Sequence, residues 1–133
     1  MIMESENIKK LESLVPKLSD MVLNVCDRNH HVEYNVENGF CIGFPLLNND
    51  KIAIQRAFIS KGTYFGEHKH EDSVEIFVIF KGEFKLLVGD NEEILEIGDC
   101  ARVEKNTLHD GYAIDNTEMI CITVPSEEGY PNV

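Results

Sequence analysis

Residues 62–82 read GTYFGEHKHEDSVEIFVIFKG, and the placement of three of their side chains decides the fold. His68 and His70 stand one residue apart, and Glu75 lies at the start of the most apolar run of the chain. On an extended strand, residues i and i+2 point to the same face. His68 and His70 therefore project together with Tyr64 and Gly66, while Glu67 and Lys69 turn to the other side. In the next run, Glu75, Phe77 and Ile79 share an inward face, and Val74, Ile76, Val78 and Phe80 share the outer one. A lone carboxylate in an inward row costs on the order of several kcal/mol unless it is neutralised or bound to a cation. Taken singly, the histidine pair reads as solvated and the glutamate as a surface residue. Together, on flanking segments with inward parity, they point to a metal ion: two imidazoles supply half of its ligands, and the carboxylate is tolerated because it is another.

A fourth ligand must come from the remaining histidines. His30 and His31 lie in the polar stretch DRNHHVE and are expected to be exposed. His109, in KNTLHDGY at the entry to a late strand, is the better candidate.

Outward from this stretch the chain has two textures. From about Ser5 to Cys26, apolar residues recur at spacings of three and four (Ile8, Leu11, Leu14, Val15, Leu18, Met21, Val22, Val25), an amphipathic helical pattern. Pro16 interrupts it, so two short helices or one kinked helix are expected. Later, turn signals such as Lys61-Gly62, Lys81-Gly82, Gly89-Asp90-Asn91 and Gly98-Asp99 separate short runs rich in β-branched and aromatic residues. These runs are KIAIQRAFI, TYFGEHKH, VEIFVIF, EFKLLVG, EEILEI, ARVE, LHDGYAI and EMICITV. Many short strands with regular turns predict an all-β antiparallel sandwich or barrel. The expected division is a mostly helical extension over residues 1–47 and a β-barrel domain over 48–133. In KIAIQRAFI one of Gln55 and Arg56 faces inward, and burying the neutral amide costs less than burying the guanidinium. Gln55, Tyr64 and Phe77 are thus the expected ligand-contacting wall around the metal.

At 133 residues the chain suffices for one domain with a real core, and 43% hydrophobic with 27% charged residues is ordinary for a globular protein. A net charge of −12 repels phosphate backbones and anionic lipid, which argues against nucleic-acid and membrane-surface partners. Cysteines at 26, 41, 100 and 121 form no C-x-x-C pair and read as small buried hydrophobes of a reducing compartment. No apolar stretch approaches a membrane span, and MIMESENIKK lacks the order of a signal peptide, so cytoplasmic residence is expected.

The spacing Gly62-x5-His68-x-His70-x4-Glu75-x6-Gly82 resembles the first motif of the cupin superfamily at each of its five fixed positions, across 21 residues. Gly98 and His109 resemble the second motif, where a Pro-x-Gly turn precedes the last histidine. The chain departs there: Glu104-Lys105-Asn106 replaces Pro-x-Gly, and Ala113 stands where the family has asparagine. Asn106 is the best non-glycine substitute for a positive φ, so the turn is expected to form. The resemblance covers roughly residues 50 to 124. It implies the double-stranded β-helix, or jelly roll, of small single-domain RmlC-like cupins. It also implies one divalent transition metal (Fe, Ni, Mn, Zn or Cu) held by His68, His70, Glu75 and His109. Cupins often pair through their sheets, and the apolar outer row beginning at Val74 needs a cover. A homodimer, the N-terminal helix or both would supply it.

No GxSxG, Cys–His pairing or Gly-rich phosphate loop is present. Two functions fit a metal above an apolar floor. One is a metal-dependent enzyme, dioxygenase-like, acting on a small organic molecule. The other is a non-catalytic module in which the metal anchors a small ligand for binding or sensing.

Overall fold

The computed structural model of the chain describes residues 6–14 and 31–127. One helix, α1 (Glu6–Leu14), precedes nine strands: β1 (Val32–Glu33), β2 (Cys41–Asn48), β3 (Ala53–Ile59), β4 (Val74–Lys81), β5 (Phe84–Val88), β6 (Asn91–Leu95), β7 (Cys100–Val103), β8 (His109–Ala113) and β9 (Thr117–Val124). They form a six-stranded sheet in the order β1-β2-β3-β9-β4-β7 and a three-stranded sheet in the order β6-β5-β8. All pairings are antiparallel. The last strand inserts between β3 and β4, the crossing that turns a meander into a jelly roll.

Period-two alternation builds both faces of the large sheet. Cys41, Ala57, Ile59, Phe77, Ile79 and Met119 point between the sheets and pack on Phe84, Leu86, Leu95 and Ala113. The turn from β4 to β5 needs Gly82: its φ is +87°, and a Cβ there would stand 2.1 Å from the carbonyl oxygen of Asn116.

On the opposite face, Ile42 and Phe44 of β2 and Phe58 of β3 lie beneath α1, which buries Ile8 and Leu11 on them together with Phe40. Each such fully buried aliphatic side chain contributes roughly 1.5–3 kcal/mol. The first half of the expected helical pattern therefore covers part of the large sheet, and its second half, from Pro16 to Cys26, lies outside the described residues.

Strand pairing begins well before residue 48. Both β1 and β2 fall within the stretch expected to be a helical extension. Because CIGFPLLN is buried on both faces along Cys41–Pro45, it shows no polar alternation to announce a strand. The segment TYFGEHKH, expected as a strand, makes only isolated bridges, at Tyr64 and His68. Of the cysteines, Cys41 is buried and Cys121 half-buried; Cys100, on the edge strand β7, is exposed, contrary to expectation. Cys26 lies outside the described residues.

Candidate metal centre

The four side chains named from the sequence converge. One ligand atom from each of His68, His70, Glu75 and His109 lies within 4.8 Å of every other, so the group could hold a metal ion. Three structural devices bring them together. Glu75 sits on the inner face of β4, between Thr123 of β9 and Val103 of β7, where the strand's alternation requires it to point inward. His68 and His109 form an antiparallel bridge with two reciprocal N–H to O=C bonds of 2.9 Å, which sets their rings side by side, tilted by 57° with centroids 4.2 Å apart. The main-chain N–H of Asn106 donates to the His70 carbonyl at 2.6 Å, tying the first histidine segment to the turn before His109. Asn106 has a φ of +59°, so asparagine makes the turn for which Pro-x-Gly is the family solution.

Each imidazole has its Nδ1 against an oxygen: Gly66 O for His68 at 2.8 Å, Thr107 O for His109 at 2.9 Å and a Glu127 carboxylate oxygen for His70 at 2.9 Å. An oxygen acceptor at Nδ1 places the proton there and leaves Nε2 as the electron-pair donor. Nε2 of His109 lies 3.2 Å from Glu75 Oε1, and Nε2 of His70 lies 3.4 Å from Oε2. The second contact is an ion-pair distance without hydrogen-bond geometry, so His70 Nε2 is buried with no hydrogen-bond partner among the described residues. A buried, pre-aimed nitrogen beside a buried carboxylate is the donor arrangement that a divalent ion completes.

Without the ion, protons balance the charge. Proximity to Glu75, opposed by burial and aided by Glu127, raises the His70 pKa to about 9. Burial lowers the His109 value, but its bonds to Glu75 and the Thr107 carbonyl outweigh that and the net shift is upward. Burial alone would raise the Glu75 carboxyl, yet His109 and His70 pull it down to about 2.

These ligands open into a cavity of about 320 Å³ whose wall includes Gln55, Phe65, Phe77, Phe84, Leu86 and Met119. Gln55 faces the interior and is 2% exposed, whereas Arg56 points outward to Glu118 at 3.5 Å. Phe77 lines the cavity as parity predicts. Tyr64 stands outside this wall, its hydroxyl donating to Asp110 at 2.6 Å, and Phe65 takes the inward place on Phe84. Gly66 explains the exchange: its φ of +85° breaks the alternation between Tyr64 and His68. Burial followed by the charge of Glu75 raises the pKa of both cavity thiols, Cys41 and Cys121, so they remain protonated and unreactive. His31 pairs with Glu33 at 3.2 Å, away from the cluster, and His30 lies outside the described residues.

The family model for the cupin domain matches residues 56–125, more than half of the chain. The chain is a cupin. Solved structures agree with that fold. KdgF from Halomonas sp. is 18% identical over 77% of this cupin and 95% of its own chain, with a TM-score of 0.66. A protein described as a predicted oxalate decarboxylase from Thermotoga maritima is 20% identical over 72% and 92%, with a TM-score of 0.63. Ectoine synthase from P. lautus is 16% identical over 94% and 78%, with a TM-score of 0.67. Such identities establish the shared fold alone. No curated protein matches this cupin. No helix among the described residues is long and apolar enough to cross a membrane.

Proposed function

We propose that this cupin is a divalent-metal enzyme of dioxygenase-like type that acts on a small, largely apolar organic molecule. One observation carries the reading: the four ligating side chains form one part of the wall of a single cavity, and aromatic and aliphatic residues form most of the rest. Its volume of about 320 Å³ lies at the small end of ligand pockets, roughly 300–1,000 Å³. Three imidazoles and a carboxylate suit iron(II), manganese, nickel, copper or zinc, and an ion so held supplies redox or Lewis-acid chemistry according to its identity.

The chain's own contribution is position and dryness. Phe65, Phe77 and Phe84 exclude water from the space beside the ligands. The carboxamide oxygen of Gln55 is buried with no hydrogen-bond partner among the described residues. Strand register sets Gln55 level with Cys121 and Phe77, two strands from β4 and one inward step along from Glu75. At about 4.8 Å per strand spacing it stands roughly 10 Å across the sheet. Gly43 makes room for it, since a Cβ there would lie 2.3 Å from Gln55 Oε1. The ligand therefore carries electron-pair donors at one end, an apolar body and a hydrogen-bond donor that meets Gln55.

Oxygen uptake or product formation by protein loaded with iron, manganese or nickel, across a panel of small chelating acids and phenols, tests the reading. Turnover with one metal supports it; uniform inactivity with all three contradicts it. A non-catalytic, metal-anchored binding module is favoured by one specific observation. Asp110, which lines the cavity, is engaged by Tyr64, and Glu127 is engaged by His70. Metal-dependent thermal stabilisation by a panel compound without turnover would select that second reading.

The proposal extends to a homodimer. Beyond α1, the outer face of the large sheet sets Ile76 beside Ile122 and Val78 beside Ile120, with Phe80 46% exposed. Light scattering on a size-exclusion column should return twice the chain mass, and a monomer alone would remove this element.

A further inference from the structure

Two of the three imidazoles are aimed by main-chain carbonyls within their own loops, Gly66 for His68 and Thr107 for His109. The third is aimed differently. His70 Nδ1 meets the carboxylate of Glu127, 57 positions later and outside the residues 56–125 that match the family model. The chain reaches that point by a fixed route. After β9 ends at Val124, Ser73 Oγ donates to the Pro125 carbonyl at 2.7 Å, and Ser126 Oγ donates to the Asn49 carbonyl. Ser73 is 1% exposed, so the first of these anchors is buried beneath the segment it holds.

We infer that Glu127 is a positioning residue of the metal centre and that Pro125–Glu127 is the strap that delivers it. The inference rests on the metal-centre reading above. Glu127 approaches the far nitrogen of His70, not the side facing Glu75, so it orients a ligand and is not one itself. A charged acceptor at Nδ1 fixes the ring more strongly than a neutral carbonyl and strengthens Nε2 as a donor. Charge completes the argument. A divalent ion, with Glu75 and Glu127 each carrying one negative charge, sums to zero (2 − 1 − 1). A site held by Glu75 alone would keep a net positive charge partly removed from water. The ligand class served by this device is thus a divalent cation.

Cobalt(II) is the probe, titrated into full-length wild type, Glu127→Ala, Glu127→Gln and His109→Ala, with affinity read by chelator competition and site geometry by the visible cobalt spectrum. Glu127→Ala should weaken cobalt about 10- to 100-fold and alter the spectrum. Glu127→Gln, which keeps an acceptor oxygen at similar reach but loses the charge, should recover most of the spectrum and only part of the affinity. A merely structural ion pair would lower the melting temperature and leave the spectrum unmoved. Wild-type affinity and spectrum in Glu127→Ala would overturn the inference while leaving the metal centre standing. A wild type that binds no cobalt, or a His109→Ala variant that binds as tightly as wild type, would overturn the metal-centre reading itself and the inference with it.

Discussion

Within one strand the interior of the barrel changes character. At its start, Glu75 of β4 is flanked by His70 and His109, three ionisable groups set into a wall. Further along the same face, Phe77 and Ile79 belong to a continuous apolar cluster. The apolar end contributes stability through burial. The polar end holds four groups whose charges must be balanced by protons or by a metal, an arrangement that burial alone disfavours. The difference separates what makes the fold from what makes the site, and each half can be broken without the other.

The largest expected effect is at the polar end. Glu75→Ala or His109→Ala should reduce metal affinity by more than the roughly 10- to 100-fold expected from losing a residue that only orients a ligand, because one of the four protein ligands is itself lost. Circular dichroism should remain that of the wild type. The converse experiment is Phe44→Ala, beneath α1 and outside the cavity wall. It should cost about 3–5 kcal/mol in chemical denaturation with metal stoichiometry unchanged.

A pH experiment sharpens the contrast. In metal-free protein the His70 pKa is raised from 6.5 to about 9, so its contribution to stability is complete below 6.5 and lost as pH rises through 9. The Glu75 value is lowered from 4.5 to about 2, so its contribution is present above 4.5 and lost as pH falls towards 2. Metal binding displaces the imidazole protons, so affinity should rise with pH across the interval in which metal-free stability falls. Parallel melting and metal-titration series between pH 6 and about 9.5 check this. Slopes of the same sign would contradict it.

Smaller effects lie at the border of the two ends. Gln55→Leu should leave the metal in place and cost a bound ligand about 1–3 kcal/mol, the penalty of leaving its buried donor unpaired. Smallest of all, Arg102→Ala should change stability by less than about 0.5 kcal/mol, since its partner Glu104 and Arg102 itself are both mostly exposed.

The polar end was more legible in the sequence than much of the fold. His68, His70 and Glu75 were identifiable because their spacing and the inward parity of Glu75 leave little freedom in where such side chains point, and His109 because it was the best placed of the remaining histidines. Strand β2 was not legible: Ile42 and Phe44 are covered by α1 while Cys41 and Gly43 face the barrel, so no polar residue marks an outer face. The reading of Tyr64 as part of the wall assumed an unbroken strand, and the positive φ of Gly66 moves Phe65 into that place. Glu127 gave no local signal. Its partner is distant in sequence, and only the return of the chain after β9 brings the two together.

Elemental analysis of full-length protein purified without a histidine tag tests the central claim most directly. The account predicts one divalent transition-metal ion per chain in the wild type and none in a His68→Ala/His109→Ala variant that remains folded. A wild type free of metal even after loading, or a double variant that retains a full equivalent, would contradict it.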